Sequence, residues 1–224
     1  MHILYGDSYE LVKVLQAHDT CVNYVEFSPQ GQAFISADDD GNIIKWEIVQ
    51  GSENEIVVNE VRMEKHKDSV EQVLFSPSGI YPQRIITCSA DHSLHLYNSQ
   101  TCDLIKKLKG HDSEVLKIAL SPDGKLIASG DGQGCIIVWD SFTGKLLKHI
   151  MSYKVTGIML NLFFTGKGKY LCARGSNMNA VVAYNVLEGV AVSVLSFTSS
   201  IKTSTGSCSI QNSEDDLMIY MWTC

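Results

Sequence analysis

The strongest constraint on this chain is an eleven-residue phrase that it repeats. Ser36-Ala-Asp-Asp-Asp-Gly-Asn-Ile-Ile-Lys-Trp46, Thr87-Cys-Ser-Ala-Asp-His-Ser-Leu-His-Leu-Tyr97 and Ser129-Gly-Asp-Gly-Gln-Gly-Cys-Ile-Ile-Val-Trp139 share a hydroxyl start, a polar turn and an aromatic end. A weaker fourth copy ends in Asn179-Ala-Val-Val-Ala-Tyr184. Before the first three copies stand Phe27-Ser-Pro-Gln-Gly31, Phe75-Ser-Pro-Ser-Gly79 and Leu120-Ser-Pro-Asp-Gly124, turns in which Pro presets φ and Gly accepts a positive φ. Earlier still are His18, His66 and Gly110-His111. Between turns the text alternates as strands do, as in Val22–Phe27 and Val115–Leu120. Each unit therefore reads as four short antiparallel strands with almost no helix. One such unit cannot bury both faces, so the units must pack side by side.

The Gly-His, Ser-Pro-Asp-Gly and Trp-Asp signatures, clearest over Gly110–Asp140, resemble the WD40 repeat family of β-propellers. The resemblance is strong over 18–140, fair over 141–195 and poor over 196–224. It implies an all-β, WD40-like propeller of about five four-stranded blades, the last one degenerate. The approximate repeats are 18–62, 66–108, 111–150 and 154–195, with a degenerate 198–224. A WD40 repeat takes about 40–45 residues, so 224 residues fall short of a seven-bladed ring. The chain reads as one propeller domain or a partial propeller. Residues 9–15 read as an outermost strand that could close the last unit. Thr198–Ser213, dense in Ser and Thr and without alternation, stands against a closed ring.

Five constellations imitate chemistry. Histidine, serine and aspartate recur as in a hydrolase triad, but they recur at the blade period, and a catalytic triad would occur once. The resemblance instead implies a structural hydrogen-bonded tetrad in each blade. By position these are His18, Ser36, Asp40 and Trp46; His66, Thr87, Asp91 and Tyr97; and His111, Ser129 and Trp139. In the third, Gln133 stands where Asp is expected, which predicts a softer blade unless Asp131 compensates. Ser36-x-Asp38-x-Asp40-Gly41-x-Ile43-x-x-x-Glu47 matches much of an EF-hand loop, which would need flanking helices where this chain has strands. Cys88, His92 and His95 have loose metal-ligand spacing, but one lies in a turn and another in the next strand. Gly130-x-Gly132-x-Gly134 and Gly166-Lys-Gly-Lys169 precede strands, not the helix that a phosphate loop requires. No catalytic, cofactor or metal residue is assigned, and Phe27, Phe75, Phe163 and Phe164 read as core.

Function is then expected at a face. The resemblance places partner contacts at the residues opening each innermost strand and at the residue before the tetrad aspartate. These are Cys21, Asn23 and Asp39; Ser69, Glu71 and Ala90; and Glu114, Leu116 and Gly132. Asp39, Glu71 and Glu114 would present carboxylates to a basic peptide, with steering by the field of a chain whose formal charge is −7. That charge disfavours nucleic acid, which needs a basic stripe. The chain has no apolar run near the roughly 20 residues of a membrane-spanning helix, and its start lacks a signal-peptide pattern. Seven scattered cysteines without a CxxC pair read as reduced thiols in an intracellular, preferentially cytoplasmic, protein. Two sub-signatures of the family, Trp-Asp-x-Arg and Phe-Arg-Arg-Gly, are missing, which disfavours a ubiquitin-ligase substrate receptor of that type and a phosphoinositide binder. The leading expectation is a noncatalytic scaffold or adaptor within a larger complex. The alternatives are a fragment of a longer WD40 protein without independent function and, further off, a propeller enzyme or calcium-binding module.

Overall fold

The computed structural model describes residues 1–4, 11–50, 56–80, 83–150, 155, 157–177, 180–196, 210–212 and 219–221. Four sheets of four antiparallel strands follow one another along the chain. Sheet one holds β3 (Val22–Phe27), β4 (Ala33–Asp38), β5 (Ile43–Gln50) and β6 (Ile56–Arg62), after an N-terminal pair, β1 (His2–Leu4) and β2 (Leu11–Val14). Sheet two holds β7 (Val70–Phe75), β8 (Arg84–Ser89), β9 (Ser93–Asn98) and β10 (Leu104–Lys109). Sheet three holds β11 (Val115–Leu120), β12 (Leu126–Asp131), β13 (Ile136–Asp140) and β14 (Leu146–Ile150). Sheet four holds β15 (Met159–Thr165), β16 (Tyr170–Gly175), β17 (Ala180–Asn185) and β18 (Val190–Ser196). A last pair, β19 (Ile210–Asn212) and β20 (Ile219–Met221), follows. The only helical segment among the described residues is the 3-10 turn Gly166–Gly168.

Strand alternation explains how the sheets stack. In sheet two, Ile85 and Tyr97 join a buried cluster with Ile35, Ala37 and Ile43 of sheet one. Their neighbours Ile86, Cys88, Leu94 and Leu96 turn the other way and pack with Ile118, Ile127, Ile137 and Trp139 of sheet three. Ala128, Ile136 and Val138 of sheet three in turn meet Met159, Leu162 and Leu171 of sheet four. Sheets two and three thus bury both faces through their neighbours, as the period-two pattern requires. The innermost strands β3, β7, β11 and β15 lie next to one another along this series.

The Ser-Pro turns repeat one device. The Ser28, Ser76 and Ser121 hydroxyls accept the backbone N–H of Ala33, Arg84 and Leu126 at 3.0, 2.8 and 2.9 Å, closing each β-turn at the start of the next strand. Of the segment expected as an added strand at 9–15, Leu11–Val14 form β2, and their ladder partner among the described residues is β1. The serine- and threonine-dense stretch, apart from Ile210–Asn212, and Trp222 lie outside the described residues, as do Cys208 and Cys224.

Candidate functional site

Each inner hairpin ends in a polar turn whose side chains turn back into the sheet. In sheet one, His18 Nδ1 lies 2.6 Å from Asp38 Oδ2 and Nε2 lies 2.6 Å from Ser36 Oγ, while Trp46 Nε1 donates to Ser36 Oγ at 2.8 Å. The aspartate bonded to His18 is therefore Asp38, and Asp40, expected from the sequence, sits exposed in the turn. The reason is local. Asp38 ends β4, so one carboxylate reaches His18 with Oδ2 while its Oδ1 accepts the N–H groups of Asp40 and Asn42 at 3.1 and 2.8 Å. Sheet three repeats this: Asp131 takes His111 at 2.8 Å and accepts Gln133 N–H and Cys135 N–H at 3.0 and 2.9 Å. His111 Nε2 lies 2.6 Å from Ser129 Oγ, and Trp139 Nε1 donates to that oxygen at 2.8 Å. The set is complete without an acid at 133, so the expected weak point is absent.

Sheet two divides the same work. Asp91, two residues further on, lies 2.9 Å from His66 Nδ1, and Ser89 Oγ accepts the Asp91 N–H at 3.0 Å. His66 Nε2 lies 2.7 Å from Thr87 Oγ1. Tyr97, in place of tryptophan, donates its hydroxyl to the Glu64 carbonyl at 2.6 Å and lies 2.8 Å from His95 Nδ1. The His95 ring stacks on His66 with centroids 3.6 Å apart. Burial, with the neighbouring His66, drives His95 down to about 3. Burial pushes the Asp38 and Asp131 carboxyls up. Hydrogen bonds from Asn42 and His18 to the first, and from His111 and the Cys135 N–H to the second, outweigh it and hold both below the usual range.

Sheet four has the same register and different chemistry. Leu162 pairs with Ala173 as Ile118 pairs with Ser129, and Leu171 pairs with Tyr184 as Ile127 pairs with Trp139. Val155, Ala173 and Gly175 thus hold the places of His111, Ser129 and Asp131. Val155 and Ala173 are buried at 2% and 0% exposure in the apolar cluster shared with sheet three.

The face carrying the turns is built by bulges. Every inner strand shifts register at its second residue, between Val22 and Tyr24, Val70 and Gln72, Val115 and Lys117, and Met159 and Asn161. The residues left out of the ladder are Asn23, Glu71, Leu116 and Leu160; a bulge re-aims such side chains. The turn residue opposite is fixed by its backbone: Asp39, Ala90, Gly132 and Ser176 donate to the carbonyls of Cys21, Ser69, Glu114 and Ile158 at 2.9–3.1 Å. Across sheets one and two, Asn23 Nδ2 donates to Asp39 Oδ1 at 2.7 Å and to Ser69 Oγ at 2.9 Å, and Ser69 Oγ donates to Glu71 Oε1 at 2.8 Å. Asp39 and Glu114 are exposed, Glu71 is half-buried, and Cys21 is exposed. Leu116, at the matching bulge position, is half-buried and packs against the cluster between sheets three and four. Counting the sequence signatures forward did not reach Ile158, Leu160 and Ser176, since Val155 replaces the histidine that anchors the count. Counting back from Tyr184 finds them within one residue.

The EF-hand-like spacing does not converge on an ion: Ser36 and Asp38 are buried in bonds to His18, while Asp40 faces solvent. Cys88 is buried in the sheet and His92 is exposed at φ 67°, and neither joins a ligand cluster among the described residues. Two other groups do bring ligand atoms within 4.8 Å of one another: His66, Asp91 and His95, and His111, Asp131 and Cys135. In the first, both His66 nitrogens are already bonded. Beside the second, Cys135 Sγ lies 3.6 Å from His149 Nδ1. At the opposite end of the strands, a cavity of about 1130 Å³ opens between sheets one and two, lined in part by Gln30, Gln32, Phe75 and Gln83. The Lys45 ammonium on its wall donates to Glu47 Oε1 and the Ser99 carbonyl at 2.8 and 2.9 Å.

The model of the WD domain, G-beta repeat, matches at residues 9–47, 59–98 and 102–140, together more than half of the chain. Among curated proteins, the chain is 38% identical over 112 residues to "Small ribosomal subunit protein RACK1y" of Oryza sativa subsp. japonica and 34% identical over 110 residues to "Small ribosomal subunit protein RACK1" of Brassica napus. Each match covers 49% of this chain and 32% of the relative. The matched part of the chain thus spans about a third of the length of these relatives.

Proposed function

Because the chain belongs to the WD40 repeat family, we propose that it is a noncatalytic protein-interaction scaffold that offers the bulge-and-turn face of its blades to partner proteins. The observation that carries the reading is the repeated register shift. In each blade it withdraws one side chain from the ladder and sets it beside a turn residue fixed by its backbone, so the face is rigid and its side chains are free to vary. Over the first three blades that face carries the carboxylates of Asp39, Glu71 and Glu114, which suit a basic segment of a partner. The recurrent His, Ser or Thr, and Asp sets are read as structural: in blades one and three the serine oxygen also accepts the indole N–H, and in blade two the threonine is buried between strands. The relatives are small ribosomal subunit proteins by name, so the same kind of setting, an intracellular and cytoplasmic multi-protein assembly, is assigned to this chain.

Affinity capture from cell extract with the wild-type chain and with Asp39→Lys, Glu71→Lys and Glu114→Lys combined tests this. The triple variant is expected to lose the partners captured by the wild type, and its melting curve is recorded alongside, because Asp39 and Glu71 accept hydrogen bonds from Asn23 and Ser69. Identical partners retained at equal affinity would refute the assignment of this face.

A further inference from the structure

We propose that the turn edge of blade three is a Zn²⁺ site built from Cys135 Sγ, His149 Nδ1 and the Asp131 carboxylate. The position of Cys135, six residues after the tetrad hydroxyl, faces the tetrad carboxylate in every polar blade. In blade one it is Asn42, whose side chain bonds Asp38; in blade two it is Ser93, whose hydroxyl donates to Asp91 at 2.6 Å. In blade three that place holds a thiol. His149 pairs with Ile137 on the outer strand, where the matching residues, paired with Ile44 and His95, are Arg62 and Lys107. Blade three thus replaces an amide or hydroxyl and a cation, neither a soft ligand, with a sulfur and an imidazole.

The distance between sulfur and imidazole suits the ion. A tetrahedral zinc at about 2.3 Å from sulfur and about 2.0 Å from nitrogen sets those two atoms about 3.6 Å apart, and Cys135 Sγ and His149 Nδ1 are 3.6 Å apart. The nearest Asp131 and His111 ligand atoms lie within 4.8 Å of that sulfur. Asp131 is already oriented: its Oδ1 is held by two backbone N–H groups, and its Oδ2 by His111. A carboxylate backed by a histidine in this way is the kind of outer support that fixes metal ligands. His149 stands outside the group within 4.8 Å, but it is exposed on the outer strand, and its ring turns toward the carboxylate when the ion binds. A mixed sulfur, nitrogen and oxygen set selects zinc over calcium or magnesium, which take oxygen. Binding forms the Zn–S bond as the Cys135 S–H breaks, and the proton leaves to solvent. Water completes the coordination.

The test is titration of the full-length, reduced chain with Co²⁺ and then Zn²⁺. One Co²⁺ per chain is expected to bind with a thiolate-to-metal absorption band that Zn²⁺ bleaches, and protons are released on binding. Cys135→Ser should abolish the band, and His149→Ala should weaken binding by about tenfold or more. Cys21→Ser, which removes an exposed thiol in another blade, should change neither. Melting curves without metal report folding. Should Cys135→Ser fail to fold, His149→Ala, on an exposed strand position, carries the test alone. A band that survives Cys135→Ser, undiminished affinity in His149→Ala, or no thiolate band in the wild type at stoichiometric cobalt would overturn the site.

Discussion

Blades three and four solve the same packing problem with opposite chemistry. At matching register, blade three buries His111, Ser129, Asp131 and Trp139 as a bonded chain, whereas blade four buries Val155, Ala173, Gly175 and Tyr184. Both sets sit between the same kinds of strands. The difference shows that the tetrad is one of two ways to fill this space. A bonded polar set costs little relative to an apolar set of similar shape, but a broken one strands desolvated groups. Blade two stands between them: Tyr97 sends its hydroxyl out of the sheet to Glu64, and His95 fills the space beneath His66.

Asp131→Ala should give the largest effect that could break this comparison, because it orphans His111 and two turn N–H groups at once. A loss of about 3 kcal/mol or more is expected in denaturant titration; a loss under 1 kcal/mol would show that the polar set carries no stake.

The pH response should come next. His95 is neutral in the fold, whereas the unfolded chain takes up its proton below about 6.5. The unfolded state binds the extra proton, so stability falls as pH drops from about 6.5 toward about 3, with a slope approaching 1.4 kcal/mol per pH unit. The depressed Asp38, Asp91 and Asp131 add to the loss at the acid end, because their stabilisation fades as pH falls through their folded values. His95→Phe should flatten the slope between pH 6 and 4, and a slope unchanged in that variant would assign it elsewhere.

Ala173→Ser tests the apolar blade by placing a hydroxyl where Val155 offers it no side-chain acceptor, at an expected cost of about 1–3 kcal/mol. The transplant His111→Val, Ser129→Ala, Asp131→Gly and Trp139→Tyr together should cost less than Asp131→Ala alone, a non-additivity expected of a coupled network. A simple sum of single costs would mean the two solutions are not equivalent.

The smallest change sharpens the turn itself. His92 has φ 67° where blades one and three place Gly41 and Gly134 at φ 84° and 82°. His92→Gly should therefore stabilise by a few tenths to about 1 kcal/mol, read as a raised Tm.

The blades themselves were legible in sequence because their signals are local: a hydroxyl, a turn and an aromatic at fixed spacing. The tetrad carboxylate was legible only in blade two. Asp38, Asp39 and Asp40 are adjacent, and which one turns inward depends on where β4 ends, a matter of register. Gln133 misled for the same reason, since Asp131 reaches His111 from the end of its strand. Blade four was faint because its anchors are apolar, and an apolar residue in a strand looks like any other. The proximity of Cys135 and His149 needed the pairing of β13 with β14, which no spacing rule supplies.

The bulge on each inner strand separates two kinds of inheritance. Residues in the ladder answer to their neighbours on both sides, so a change there must be accommodated by the whole stack. Asn23, Glu71, Leu116 and Leu160 stand outside the ladder and answer only to local contacts: Asn23 and Glu71 to the Asp39 and Ser69 side chains, Leu116 to the apolar cluster beside it. Such positions can change without breaking a ladder bond, and where a side chain crosses to the next sheet, as Asn23 does to Ser69, the two must change together.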